Sequence, residues 1–462
     1  MRDLYLLGFL GLFLLFGLRK PFLFTLIYAY IDIVAPQRLS YFLLNSIPVS
    51  LIVFAFALFG FLMDGGKKDA RFSVRQMCML VLLAYAGYTT LTADEPQAAL
   101  EKWDWVWKAM VFAIFLPLTL RTRLRIEALA LTMTLSLAAL VVNGGIKTVL
   151  SGGGYGALVI LVEDNSGLYE GSIISCVSIA VIPLVWWIAQ HGTIFPSDDK
   201  RWRLAMRLFA IALTFACILI PIGTQARTGL VCLGVLYILS LRFSRYKFLY
   251  LGGAALLGLA AIPFLPSSFS ERMETIQNYD QDESASTRLA VWAWTLEYVK
   301  AHPGGGGFDA YRQNKLRYEL PMMDANGFDT GNVEVKEVVD EGRAYHSSYF
   351  EMLGEQGWFG LALWLIIHVG GVWRMEMVRR RYRNSEKEGE RWIAPLAQAL
   401  QNGQMVYLTG SLFVGIAYQP FIYMLIAMQI GLDTYLTRRR KEHGFRPMMA
   451  PAARPKAAPA PA

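Results

Sequence analysis

Three side chains stand out from a mostly apolar chain because their types could do chemistry together. His346 ends a long polar segment and precedes the apolar run that continues through Gly360, so its imidazole is expected near a membrane surface. Arg227 lies in Gly223-Thr224-Gln225-Ala226-Arg227-Thr228-Gly229, a junction of two apolar helices with almost no loop to carry a charge into water. A guanidinium there is costly without an anionic partner. Arg288 begins an amphipathic stretch. Two guanidinium forks suit the oxygens of a diphosphate, and an imidazole can take a proton from a hydroxyl near neutral pH. That set is chemically sufficient to move a sugar off a diphosphate carrier. Taken singly, each has a plainer reading. Arg227 can snorkel to headgroups or pair with an acid, Arg288 can be a surface charge, and His346 can be a helix-start residue bonding to backbone.

The elements that must position these residues follow from composition. The chain is 55% hydrophobic and 13% aromatic, with mean hydropathy +0.37. Its apolar residues come in long blocks separated by short charged loops, the pattern of an all-α, polytopic helical membrane protein. At about 20 residues per crossing the blocks give about 12 spans. The run Leu4 to Leu18 is short for a span, and Arg19-Lys20-Pro21 follows where a small-residue cleavage site would be needed, so it reads as retained. Basic clusters abut most blocks, at Arg19-Lys20, Lys67 to Arg75, Arg121 to Arg125, Lys200 to Arg203, Arg242 to Lys247, Arg374 to Arg391 and Arg438 to Lys441. By the positive-inside rule these are cytoplasmic, with the C-terminus inside. The segments between them, including Ala93 to Trp107, the turn at Gly223 to Thr228, the long loop 266–345 and the turn Tyr418-Gln419-Pro420, are then outside. All three candidate residues fall on that side. The net charge of +8 reports these loops and implies no nucleic-acid partner.

The outer segments differ in character. Ala93 to Lys108 carries Trp103, Trp105 and Trp107 among charges and predicts an interfacial helix lying along the membrane. Gly152-Gly153-Gly154-Tyr155-Gly156, followed by Glu163-Asp164-Asn165, lacks the lysine and strand-to-helix context of a phosphate cradle and reads as a turn. In the long loop, Leu289, Trp292, Leu296 and Val299 recur at helical spacing after Ser284 and Ser286, and the helix should stop at His302-Pro303 before Gly304 to Gly307. A small helical lid on the outer face is the expectation. The Pro- and Ala-rich tail 445–462 predicts disorder. Cys78, Cys176, Cys217 and Cys232 all lie in apolar stretches without paired spacing, which suits small-residue packing and argues against disulfides and zinc. The five histidines are too scattered for a metal site.

Together these signals resemble the bacterial O-antigen ligase and polymerase superfamily. The resemblance is carried by Gln225-Ala226-Arg227-Thr228-Gly229, by Arg288 with Trp292 and the turn His302-Pro303 to Gly307, and by His346-Ser347-Ser348-Tyr349 with Gly357 and Gly360. It covers about half the chain. The N-terminal half, with Leu18-Arg19-Lys20-Pro21 and Pro36-Gln37-Arg38-Leu39, is similar to the O-glycosylation ligases associated with exosortase A. The division expected is a membrane region at 1–190 and a ligase-like core at 204–437.

The resemblance implies a glycosyltransferase of the bacterial inner membrane. It would be metal-independent, without cofactor, and would invert the anomeric centre while transferring a glycan from an undecaprenyl-diphosphate carrier to a periplasmic acceptor hydroxyl. By position, Arg227 and Arg288 would hold the diphosphate and His346 would deprotonate the acceptor, with Gln225, Trp292, Ser347 and Tyr349 beside the substrate and His302, Pro303, Gly307, Gly357 and Gly360 shaping turns. Two positions depart from the commonest pattern: Gln225-Ala226 stand where serine often precedes the arginine, and Ser347 stands where asparagine is frequent. A polymerase joining lipid-linked repeat units shares these features. A transporter or scaffold for lipid-linked glycans is the rival of another class, and the scarcity of ionisable residues in mid-span counts against it.

Overall fold

In the computed structural model the apolar blocks fold as helices, the conformation that satisfies backbone amides within their own segment. The structure describes residues 2–44, 47–63, 72–150, 167–196, 199–242, 247, 252, 283–322 and 334–444. The glycine turn at 152–156, the acidic turn at 163–165, Lys67 and Lys68, residues 266–282 and the tail from Phe445 lie outside them. The N-terminal part comprises α1 (Arg2–Arg19), α2 (Phe22–Val34), α3 (Pro36–Leu39), α4 (Val49–Met63), α5 (Val74–Leu91), α6 (Pro96–Thr119) and α7 (Arg123–Leu150). After a single 3-10 turn at Gly167–Tyr169 come α8 (Gly171–His191), α9 (Lys200–Gly223) and α10 (Arg227–Leu241). The C-terminal part holds α11 (Glu283–Ala301), the strands β1 (Lys315–Met322) and β2 (Glu334–Glu341), and the helices α12 (Ser348–Tyr382), α13 (Ile393–Gly410) and α14 (Pro420–Gly444).

Among the described residues four helices, α7, α8, α9 and α12, are long and apolar enough to cross a membrane, and α2, α4 and α10 are shorter apolar helices. The hydropathy blocks had suggested about 12 crossings. Several of the other blocks fold into helices with polar content: α13 carries Gln401, Asn402 and Gln404 among its buried residues.

Close packing in the centre depends on small residues, as membrane helices require. A side chain at Gly403 would meet the Ala180 carbonyl at 2.6 Å, and one at Gly145 would touch Ala216. Cys176 and Cys232 pack around Gly410, their thiols near the carbonyls of Tyr407 and Val406. All four cysteines are free.

Two segments expected on the outer side differ from expectation in their structure. The lid is not wholly helical, because β1 and β2 pair antiparallel from Lys315 opposite Glu341 to Met322 opposite Glu334. The β-branched Val335, Val338 and Val339 favour extended backbone, and the pairing joins residues separated by a long connection that local periodicity cannot register. The tryptophan-rich segment is not a separate surface helix. It forms the first turns of α6, which runs unbroken to Thr119, and Trp103 and Trp107 pack on the core.

Candidate active site

The site is built around a break in α12. Gly357 has φ 62 and ψ −167, which interrupts the helix after Gln356 and strands carbonyls of the preceding turn. The turn following His302-Pro303 supplies their partners. Gly306 N–H donates to Gly354 O (3.0 Å), Gly307 N–H donates to Glu355 O (2.9 Å), and Trp358 N–H donates to Pro303 O (3.2 Å). His302 closes α11 by stacking on Tyr298, ring centroids 4.4 Å apart. The backbones approach too closely for side chains, since a Cβ on Gly357 would strike Pro303 O and a Cβ on Gly305 would strike the Glu355 carbonyl. Gly360 lies one turn further on, where a Cβ would meet Gln356.

Gly357→Ala is therefore expected to lower the thermal unfolding midpoint of the detergent-extracted protein. The strained backbone alone costs about 1–3 kcal/mol. Gly370→Ala in the same helix, where a Cβ meets nothing within 4 Å, should unfold at or slightly above the wild-type temperature.

His346 is the residue before the N-cap of α12, and its backbone is left-handed at φ 46. Such a conformation is uncommon outside glycine and is retained where surroundings over-determine it. The flanking residues do that. Trp292 of α11 donates its indole N–H to Tyr345 O (2.9 Å) and stacks on Phe350 at 4.8 Å. On the other side, Ser348 N–H donates to Ser411 O (2.8 Å), and its hydroxyl donates to Val414 O (2.9 Å) while accepting from Ile416 N–H (2.9 Å).

His346 is exposed, yet the protein packed around it partly desolvates its ring. That desolvation and the charges of Arg288 and Arg343 push its pKa below the ordinary histidine range, with Glu170 opposing them. That shift favours the neutral imidazole, the form able to accept a proton.

Arg288 thus shares an electrostatic neighbourhood with His346 and Glu170, the N-cap of α8. Arg227 is the first residue of α10, half-buried, and reached through a three-residue turn in which Gln225 is also left-handed at φ 53. The turn is fixed to α8 by the Thr224–Ser175 hydroxyl pair at 2.8 Å, about one helical turn from Glu170. Ser347 is buried at the N-cap, its carbonyl accepting from Glu351 N–H. Tyr349 donates to Leu408 O (3.2 Å) and stands edge-on to Trp364, so it braces α12 against α13.

A second cluster was not singled out from the sequence. Lys102 of α6 places Nζ 2.7 Å from Glu355 Oε1, 2.8 Å from Glu351 Oε1 and 3.6 Å from Asp309 Oδ1. Glu355 is fully buried and also accepts from Asp309 N–H (3.0 Å), and Glu351 accepts from Ala417 N–H (3.0 Å). Glu351 and Glu355 are four residues apart before the break, one face of a short helix, and two carboxylates so placed in apolar surroundings call for a cation. That signal was readable. The identity of the cation, some 250 positions away, was not.

The same N-terminal region grips the glycine turn. Asp94 N–H donates to Gly306 O (2.9 Å), the Tyr85 hydroxyl donates to Gly304 O (2.9 Å), and Tyr298 donates to the Asp94 carboxylate.

No group of three or more histidine, cysteine or acidic residues among the described residues has the arrangement of a metal site. Compared with known families, residues 209–365 match the O-antigen ligase family. Residues 1–193 match a family of unknown function, DUF5935. No curated protein matches the chain.

Proposed function

The chain belongs to the O-antigen ligase superfamily by its residues 209–365, and from this premise we propose that it is a multi-pass glycosyltransferase of the bacterial inner membrane, with about 12 spans. It transfers a glycan from undecaprenyl diphosphate to an acceptor hydroxyl on the periplasmic face. The acceptor oxygen attacks the anomeric carbon as His346 takes its proton. The bond from that carbon to the diphosphate oxygen breaks, the electron pair leaves with the diphosphate, and the configuration inverts. Arg227 and Arg288 hold the departing diphosphate and offset the charge it gains. No metal is required in this scheme, because the permanent charges of the two guanidinium groups serve the leaving group.

The observation that carries the reading is His346 itself, held in left-handed backbone and biased toward its neutral form by desolvation and by the charges of Arg288 and Arg343. A general base must be unprotonated at the working pH, and its pKa is depressed by a guanidinium from the proposed diphosphate clamp.

The deciding experiment is the size distribution of polyprenyl-diphosphate-linked glycan in cells lacking the gene, complemented with wild type or His346→Ala. Long, fully polymerised glycan on the lipid, relieved by wild type alone, is the expected result. Single repeat units would make the protein a polymerase. Unchanged lipid-linked glycan would overturn the catalytic reading in favour of a transporter or scaffold.

Replacement of Arg227 or Arg288 by Lys should reduce transfer roughly tenfold to a hundredfold, because an ammonium cannot reproduce the bidentate fork and a charged hydrogen bond is worth about 1.5–3 kcal/mol. Transfer measured on membranes with both lysine variants checks this. Wild-type rates in both would remove the clamp.

A further inference from the structure

Beside the Lys102 cluster a cavity of about 350 Å³ opens between α6, the 3-10 turn, α12 and the loop before α14. Its walls include Lys102, Glu351, Asp309, Tyr418 and Gln419, with Glu101 and Trp105 from the next turns of α6. The size is within the range of small-ligand sites. None of the residues assigned above to the diphosphate or the base lines it.

One feature besides the acids points to a polar occupant. The Tyr418 side chain is 1% exposed and lines the cavity, yet its hydroxyl has no hydrogen-bond partner among the described residues. Such a group costs roughly 1–3 kcal/mol when left unsatisfied, so a ligand that bonds to the Tyr418 hydroxyl binds favourably. Gly167 and Gly415 keep two sides of the wall free of side chains.

The chemistry of the wall selects the occupant. Carboxylates outnumber the one ammonium, so a phosphate or diphosphate is repelled. Lys102 already occupies the position a metal cation would take between Glu351, Glu355 and Asp309. A lipid tail would leave the charges unsolvated. Vicinal hydroxyls both donate and accept, which matches alternating carboxylate, ammonium, phenol and amide groups. Trp105, 43% exposed, offers an indole for the apolar face of a ring.

We propose that this cavity is a saccharide subsite that seats the glycan acceptor, an assignment that rests on the glycosyl-transfer reading above and specifies its second substrate. Position agrees with it. Glu351 lies in the first turn of α12, whose N-cap Ser347 directly follows His346, and Ile416 of the wall is bonded to Ser348, two residues from His346. The acceptor hydroxyl is then presented from the acidic side and the diphosphate from the arginine side, with the base between them. The N-terminal half, whose family has no known function, supplies Lys102, Glu101 and Trp105 and so takes part in choosing the acceptor.

The test uses the full chain in lipid nanodiscs free of sugar detergents, with maltotriose, chitotriose and galactotriose as probes and inorganic diphosphate as the anionic control. Saturation-transfer NMR should report millimolar binding of at least one trisaccharide, unaffected by diphosphate. Trp105→Ala and Tyr418→Phe should each weaken it by about tenfold, ~1.4 kcal/mol. Tyr418→Phe removes only a hydroxyl with no hydrogen-bond partner among the described residues, so its unfolding midpoint should equal or exceed that of wild type while binding falls. Binding of no trisaccharide, or equal binding by wild type and both variants, overturns the subsite.

His346→Ala separates the two claims. If it abolishes transfer while trisaccharide binding is unresponsive to Trp105→Ala and Tyr418→Phe, the subsite fails and the transferase stands. If it leaves transfer intact while those variants lose binding, the base assignment fails and the subsite stands.

Discussion

His346→Ala should lower transfer by about 10²–10⁴-fold, the range a general base supplies, while lipid-linked donor still binds. The pH dependence is the more demanding part of the expectation. A base works in its neutral form, so the rate should rise with pH through the His346 pKa and then level off. Since that pKa is depressed, the acid limb should lie below the ordinary histidine value of 6.5. Its neighbours give opposite signs. Arg343→Gln removes a positive charge that lowers the pKa, so the limb should move to higher pH. Glu170→Gln removes a negative charge that raises it, so the limb should move to lower pH. Rate–pH profiles of the two variants in nanodiscs check both shifts. Movement in the same direction, or none, would separate His346 from the proton transfer.

Lys102→Met should be strongly destabilising. It leaves Glu351 and Glu355 without their counter-charge and Asp309 with only Arg312 at 3.6 Å, and removing one partner of a buried ionic cluster typically costs about 3–5 kcal/mol. Lys102 is 13% exposed and Glu355 0%, so water compensates Glu355 poorly for the lost ammonium. A lower unfolding midpoint and poor recovery after extraction are expected. Adding Glu355→Gln to Lys102→Met should restore part of the loss, because the two changes act on one cluster and cannot be additive. Equal midpoints for Lys102→Met and wild type would mean that the cluster is solvated.

The parts of this site that were legible in the sequence share one property: each is local. Gly304 to Gly307 after His302-Pro303 announced a helix end, and α11 does stop at Ala301. Gln225-Ala226-Arg227 announced a tight junction, and α9 and α10 do meet through three residues. What was not legible is pairing at a distance. The break at Gly357 makes sense only once the turn at 303–307 is seen supplying its hydrogen bonds, and neither segment alone demands the other. The antiparallel hairpin escaped for the same reason. Lys102 was obscured by its company: three tryptophans spaced two apart suggest a headgroup belt, whereas the ammonium among them turns inward to a pair of carboxylates beyond position 350. Sequence separation, rather than weak propensity, set the limit.

The grip of Asp94 and Tyr85 on the glycine turn bears on how such proteins can be recombined. A chimera that joins the N-terminal half of one relative to the C-terminal half of another at the connection between α8 and α9 would cut no helix. Yet it would exchange the residues that hold the turn and neutralise Glu351 and Glu355. Grafts that carry the 85–105 stretch along with its matched C-terminal partner should assemble, and those that split the two should be lost during biogenesis. The inheritable module therefore consists of two stretches far apart in the chain, and the pair must travel together.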